Sequence, residues 1–142
     1  MNLQGMKIKS ILDFPANPKW AAITLRVALG SMFGLHGIGK ALVVGMGTVN
    51  ENFVAHGFPV WTNYLATTVE VIAGLVLLVG VYTRWASFLL MPVTLGIVMY
   101  HFPNGWVFHN PGGGWEYPLL ILAALLATFL LGDEKHRPTQ KK

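Results

Sequence analysis

Six ionisable side chains lie within or at the rims of long apolar runs of this sequence: Arg26, His36, Lys40, Glu70, His101 and Glu116. In lipid such groups must be paired, hydrated or turned toward a protein interior. Glu70 stands about 13 Å along its run from Trp61 at helical rise, close to mid-membrane, where a carboxylate requires a proton or a cation. Arg26 lies about 21 Å below Lys40 on the first run, so Arg26 on one side and His36 with Lys40 on the other bracket Glu70 in depth if the two helices are antiparallel. Two readings follow. A salt bridge between Glu70 and Arg26 is the structural one. The functional one makes Glu70 a proton-accepting or ligand-binding carboxylate.

His36, Lys40, His101 and Glu116 fall at similar depth near the outer membrane face, with His56 and His109 available from the loops above them. Such a ring suits a quinone headgroup, a small anion or a metal ion. Glu70, His36 and His101 are the candidate proton relay, and Arg26, Lys40, His56 and Glu116 the candidate ligand-binding residues. No metal site is assigned, because neither HExxH nor HxH spacing is present. The bland alternatives are a helix-capping Glu116 and interfacial histidines satisfied by water or backbone. Gly112–Gly114 lacks the strand and the spaced glycines of a nucleotide loop, and Ser10, Ser31 and Ser87 have no adjacent His and Asp for nucleophilic catalysis.

Composition sets the frame for these groups. Of 142 residues, 54% are hydrophobic and only 11% charged, too little charge to cover a water-facing surface. The absence of cysteine removes disulfides, thiolate metal sites and thiol redox chemistry from this chain. The formal charge of +4 does not signal nucleic acid, because of where its ten Lys and Arg residues sit. Lys7, Lys9 and Lys19 precede the first apolar run, Arg84 lies between the second and third, and Lys135, Arg137, Lys141 and Lys142 follow the last. The other two loops carry no Lys or Arg. The positive-inside rule then predicts both termini to be cytoplasmic.

The apolar runs extend over Trp20–Val44, Trp61–Tyr82, Trp85–Phe102 and Trp115–Leu131, each opened by a tryptophan placed as an interfacial anchor. They predict an all-α, four-helix transmembrane bundle with antiparallel up-down topology. Residues 1–19 read as a cytoplasmic lead-in rather than a cleavable signal, 20–132 as the membrane domain and 133–142 as a basic cytoplasmic tail. Gly45–Val60 and Pro103–Gly114 are the expected outer loops. At 100° per residue, Arg26, Gly30, Gly34, Gly37 and Lys40 share half of the first helix, with His36 at its edge. Asn63, Ala66, Thr67, Glu70, Ala73 and Gly74 form one stripe of the second. Ser87, Thr94 and His101 form a stripe on the third, where Pro92 predicts a kink. The fourth is expected to turn Leu120, Ala123 and Ala127 inward.

The motifs LRVALGSMFGLHGIGK, HGFP, VEVIAGLVLLVGVYTRWA and GGGWEYPLL, with His101 between the last two, resemble the DoxX family of small four-helix bacterial membrane proteins, related to DoxD. That resemblance implies a place in the bacterial inner membrane. It further implies a link to quinone-dependent or oxidative-stress-related redox complexes, with a quinone as the candidate cofactor and a soluble or membrane redox protein as partner. The chain shows no intrinsic cofactor motif, so it reads as an oxidoreductase subunit at most, with a small proton-coupled transporter and a non-catalytic scaffold as the alternatives. Four short helices enclose little volume, and a site shared in a homo-oligomer is compatible with that.

Overall fold

The computed structural model describes residues 17–133. Of the lead-in expected over residues 1–19, residues 1–16 lie outside them, while Pro18 and Lys19 already belong to the first helix; the expected tail lies outside them beyond Asp133. Among the described residues every regular element is helical. Asn17 caps the first helix, α1 (Pro18–Gly39), accepting from the Trp20 N–H at 3.2 Å, with Pro18 in the first turn where its missing donor costs nothing. At Lys40 the helix widens into a π-helical stretch, Lys40–Gly45, which ends where Gly45 takes φ +87°. A second helix follows directly, α2 (Met46–Ala55).

This corrects the expected outer loop over Gly45–Val60, which is mostly helix. Met46–Ala55 is short and only mildly apolar, so hydropathy does not mark it. Tertiary contacts hold it, through buried Val49 and half-buried Asn50. The real connection is the turn at His56–Pro59, where Gly57 takes φ +81°.

The second span, α3 (Val60–Val79), starts after Pro59 and stops on left-handed Gly80, whose N–H reaches the Val76 carbonyl. Three residues later α4 (Thr83–His101) begins, and it runs as one helix through Pro92, which faces outward. After a short 3₁₀ turn at Phe102–Asn104 and an ordered loop, α5 (Glu116–Leu131) closes the bundle and ends at Gly132. Pro18–Ala55, Val60–Val79 and Thr83–Asn104 are long and apolar enough to cross a membrane, whereas α5 is a shorter apolar helix of 16 residues. Most of the large apolar side chains on their outer surfaces are exposed, as a lipid-facing surface requires.

The helices form a ring in the order α1, α3, α4, α5, with the closest packing between α1 and α3 and between α4 and α5. Leu29, Phe33, Ala73, Leu77, Ala86, Leu90 and Leu125 make the core. Gly30 and Gly34 on α1 meet Gly74 on α3 backbone to backbone: a Cβ at Gly74 would lie 2.6 Å from the Gly34 nitrogen. Small residues at this crossing replace the hydrophobic drive that lipid does not supply. The hydroxyls of Ser87, Thr94 and Thr128 are buried and each donates to the carbonyl four residues earlier, so none is orphaned.

The inward face of α5 differs from expectation. Pro118, Leu125 and Thr128 are buried, while Leu120 and Ala123 are exposed. This helix is apolar all round, so sequence periodicity carries no information about its orientation.

Candidate functional site

Glu70 has no exposed surface, and both of its carboxylate oxygens accept from Lys40 Nζ at 2.9 Å. Lys40 is the partner, not Arg26, which corrects the expected salt bridge. The glycine seam decides it. With Gly30 and Gly34 laid against Gly74, the next turn of α1 sets Gly37 on the Glu70 Cβ and the Thr67 carbonyl, and Lys40 one turn further reaches the carboxylate. A Cβ at Gly37 would come within 2.7 Å of Val71 Cγ2 and 3.2 Å of Glu70 Cβ. Glycine is therefore what lets α1 pass close enough for the ion pair to form.

Arg26 serves the opposite end of α3. Its guanidinium lies over Gly80, where an added Cβ would be 2.5 Å from Nη2. There it faces the negative pole of α3, a favourable place for a cation. Its Nε is buried with no hydrogen-bond partner.

A polar chain extends from the Glu70 stripe toward α2. Thr67 Oγ1 donates to Asn63 Oδ1 at 3.2 Å, Asn63 Nδ2 donates to Asn50 Oδ1 at 2.8 Å, and Asn50 Nδ2 donates to the Tyr64 hydroxyl at 3.1 Å. Asn63 is fully buried. The Phe53 ring of α2 lies 5.8 Å from Lys40 Nζ in cation–π range. Asn63 and Thr67 share the Glu70 stripe and are legible in the sequence as part of it. Asn50, Phe53 and Tyr64 are not, because their role depends on the helix that forms where a loop is expected.

The remaining candidates are spread around the same end of the bundle. His36 is exposed on α1, one turn before Lys40. His56 donates from Nδ1 to the Asn52 carbonyl at 2.8 Å and stacks on Tyr100 at 3.8 Å. His101 Nδ1 bonds the carbonyls of Gly112 and Gly113, at 3.0 and 3.3 Å. Glu116 Oε1 accepts the Phe108 N–H at 2.9 Å, and Asn104 and Asn110 tie the same loop through the Gly112 and Asn104 carbonyls. His101 and Glu116 thus brace the loop between α4 and α5 where the structure places them. His109 is exposed, against the Phe108 ring. Among the described residues no three His, Asp or Glu side chains converge in a way that could hold a metal.

At the end where α1 begins and α5 finishes, the Asp133 carboxylate accepts from both the backbone N–H and the hydroxyl of Thr83, at 2.7 and 2.6 Å. A residue after α5 thereby caps α4. Arg84 stacks on Phe129 at 4.6 Å across the same pair of helices.

The fold and this site define a small integral membrane protein of four apolar helices, with an ion pair buried between its first and second spans. The DoxX family matches the chain over residues 21–110, from α1 to the loop beyond α4. The chain belongs to that family. No curated protein and no solved structure matches it.

Proposed function

We propose that this DoxX protein is a membrane subunit of a quinone-linked redox complex, in which the Lys40–Glu70 pair and His36 receive a quinone headgroup. The observation that carries the reading is the gradient of exposure across one polar cluster. His36 is open on the surface of α1, the Lys40 side chain is 13% exposed, and Glu70 is wholly buried. Quinones travel within the bilayer, so their polar head needs a polar contact reachable from the side of the bundle. The residues fit such a group. An ammonium has three N–H donors and Glu70 engages two bonds, which leaves one for a carbonyl oxygen, beside the His36 imidazole. A bound quinone supplies two-electron chemistry, and the adjacent carboxylate and imidazole supply places for its protons.

Without cysteine, and without a metal-holding cluster among the described residues, electrons pass to a partner protein in this reading. Membership of the DoxX family supports a bacterial inner-membrane location, and the distribution of Lys and Arg supports an orientation with both termini cytoplasmic. The test is quinone binding to the purified chain in nanodiscs, followed by tryptophan quenching with a short-chain quinone. Wild-type protein binds, His36→Ala binds more weakly, and Glu70→Gln slows quinol-dependent turnover in membranes. Absence of binding together with unchanged turnover in Glu70→Gln removes the proposal. A buried carboxylate also suits a small proton-coupled transporter, which requires proton or solute flux in liposomes containing the chain alone.

A further inference from the structure

We infer that α2 is a hinged lid over the Lys40–Glu70 pair, latched by Asn50. Three observations meet here. First, the chain between Lys40 and α2 is not regular α-helix. It passes through the wide turns of Lys40–Gly45 and then turns at Gly45, whose φ of +87° and ψ of 132° leave the helical region. Nothing lies within 4 Å of the place a Gly45 side chain would occupy, so no neighbouring atoms crowd that residue. A residue that absorbs a large backbone change between two rigid segments has the properties of a hinge.

Second, α2 covers the pair. Phe53 sets its ring toward Lys40 Nζ, and Val49 is buried beneath the helix. Third, beyond buried Val49 the contacts that hold α2 down are few and mostly polar. Asn50 alone makes two of them, accepting from buried Asn63 and donating to Tyr64. The stack of His56 on Tyr100 fixes the far end. The rest of α2 is largely exposed at Gly47, Thr48, Glu51, Asn52, Val54 and Ala55. An element with one buried apolar residue and a few hydrogen bonds belongs to the part of a protein that opens at low free energy.

Lifting α2 about Gly45, with left-handed Gly57 as the second pivot where the helix joins α3, uncovers Lys40 from the loop end of the bundle while the α1–α3 seam stays closed. The lid therefore controls access to the pair from the loop end, a route separate from the lateral approach past His36. Its test is independent of quinone binding.

The experiment measures acylation of Lys40 by sulfo-NHS acetate in the full chain in nanodiscs, read by peptide mass spectrometry, with exposed Lys19 as internal reference. In wild-type protein Lys40 reacts far more slowly than Lys19. Asn50→Ala, which removes both latch bonds, raises the Lys40 rate about tenfold, and Tyr64→Phe, which removes one bond from an exposed position, raises it about threefold. Lys19 stays unchanged in both. Tyr64→Phe keeps the test decisive if Asn50→Ala fails to fold. Lys40 rates within twofold of wild type in the folded variants overturn the lid, as does a wild-type Lys40 that reacts as fast as Lys19. Equal acceleration of Lys19 and Lys40 also overturns it, because that reports general loosening rather than a hinge.

Discussion

Glu70 and Lys40 show how a buried ion pair behaves as a unit. Each charge is tolerable only because the other is 2.9 Å away, so removing one leaves the other without compensation. Lys40→Met is expected to lower stability by about 3 kcal/mol in denaturant or thermal unfolding in detergent, whereas Lys40→Met with Glu70→Met recovers most of that loss. A double variant as unstable as the single would show that Lys40 contributes packing rather than charge compensation. Arg26 belongs to a different set of contacts, so Arg26→Gln leaves Lys40 acylation unchanged. Gly80→Ala must accept both a φ of +83° and the guanidinium lying over it, at a cost of about 1–2 kcal/mol for the backbone alone. At this scale the sequence reveals that Glu70 needs a cation and which cations bracket its depth. It does not choose between Arg26 and Lys40, because helical rise fixes depth along each helix but not the register of one helix against another.

That register is an element-scale property, set by Gly30, Gly34 and Gly74. A methyl group at Gly74 meets backbone rather than a yielding side chain, and Gly74→Ala is expected to force α1 and α3 apart at a cost of about 1–3 kcal/mol. The same displacement moves Lys40 relative to Glu70, so this variant also shifts the reactivity of Lys40. The cap supplied by Asp133 joins α4 to the end of α5, and Asp133→Ala is expected to lose about 1 kcal/mol in the same unfolding assay. A neutral result there would mean that Thr83 finds another acceptor.

The spans with polar stripes were legible to different degrees for physical reasons. The faces of α1 and α3 stand out because glycines and ionisable residues recur at helical spacing. Ser87 and Thr94 mark the inward side of α4 in the same way, and both are buried. By contrast, α5 offers only Leu, Ala, Ile and Phe around most of its circumference, so neighbours alone orient it. The helix at Met46–Ala55 escapes notice because side chains from α3 stabilise it rather than its own periodicity.

Across the whole molecule, aromatic residues mark both ends of the bundle. Trp20 and Trp85 are exposed near one end, and Trp61 near the other, where Trp106 packs edge-on against Trp115. The end carrying Lys19 and Arg84 is the one expected to face the cytoplasm. A green fluorescent protein fused after Lys142 should therefore fluoresce, while alkaline phosphatase at the same point should stay inactive. The reverse pair of results would invert the orientation.

The backbone contact of Gly30 and Gly34 with Gly74 has a consequence for traffic through the protein. Where two main chains touch, no file of water molecules fits between them, so the interface of α1 and α3 is dry below Glu70. The wholly buried carboxylate therefore has no route for its proton along this seam toward the Lys19 end of the bundle. Exchange at Glu70 should follow the pH on the loop side of a sealed vesicle and ignore a pH jump on the other side.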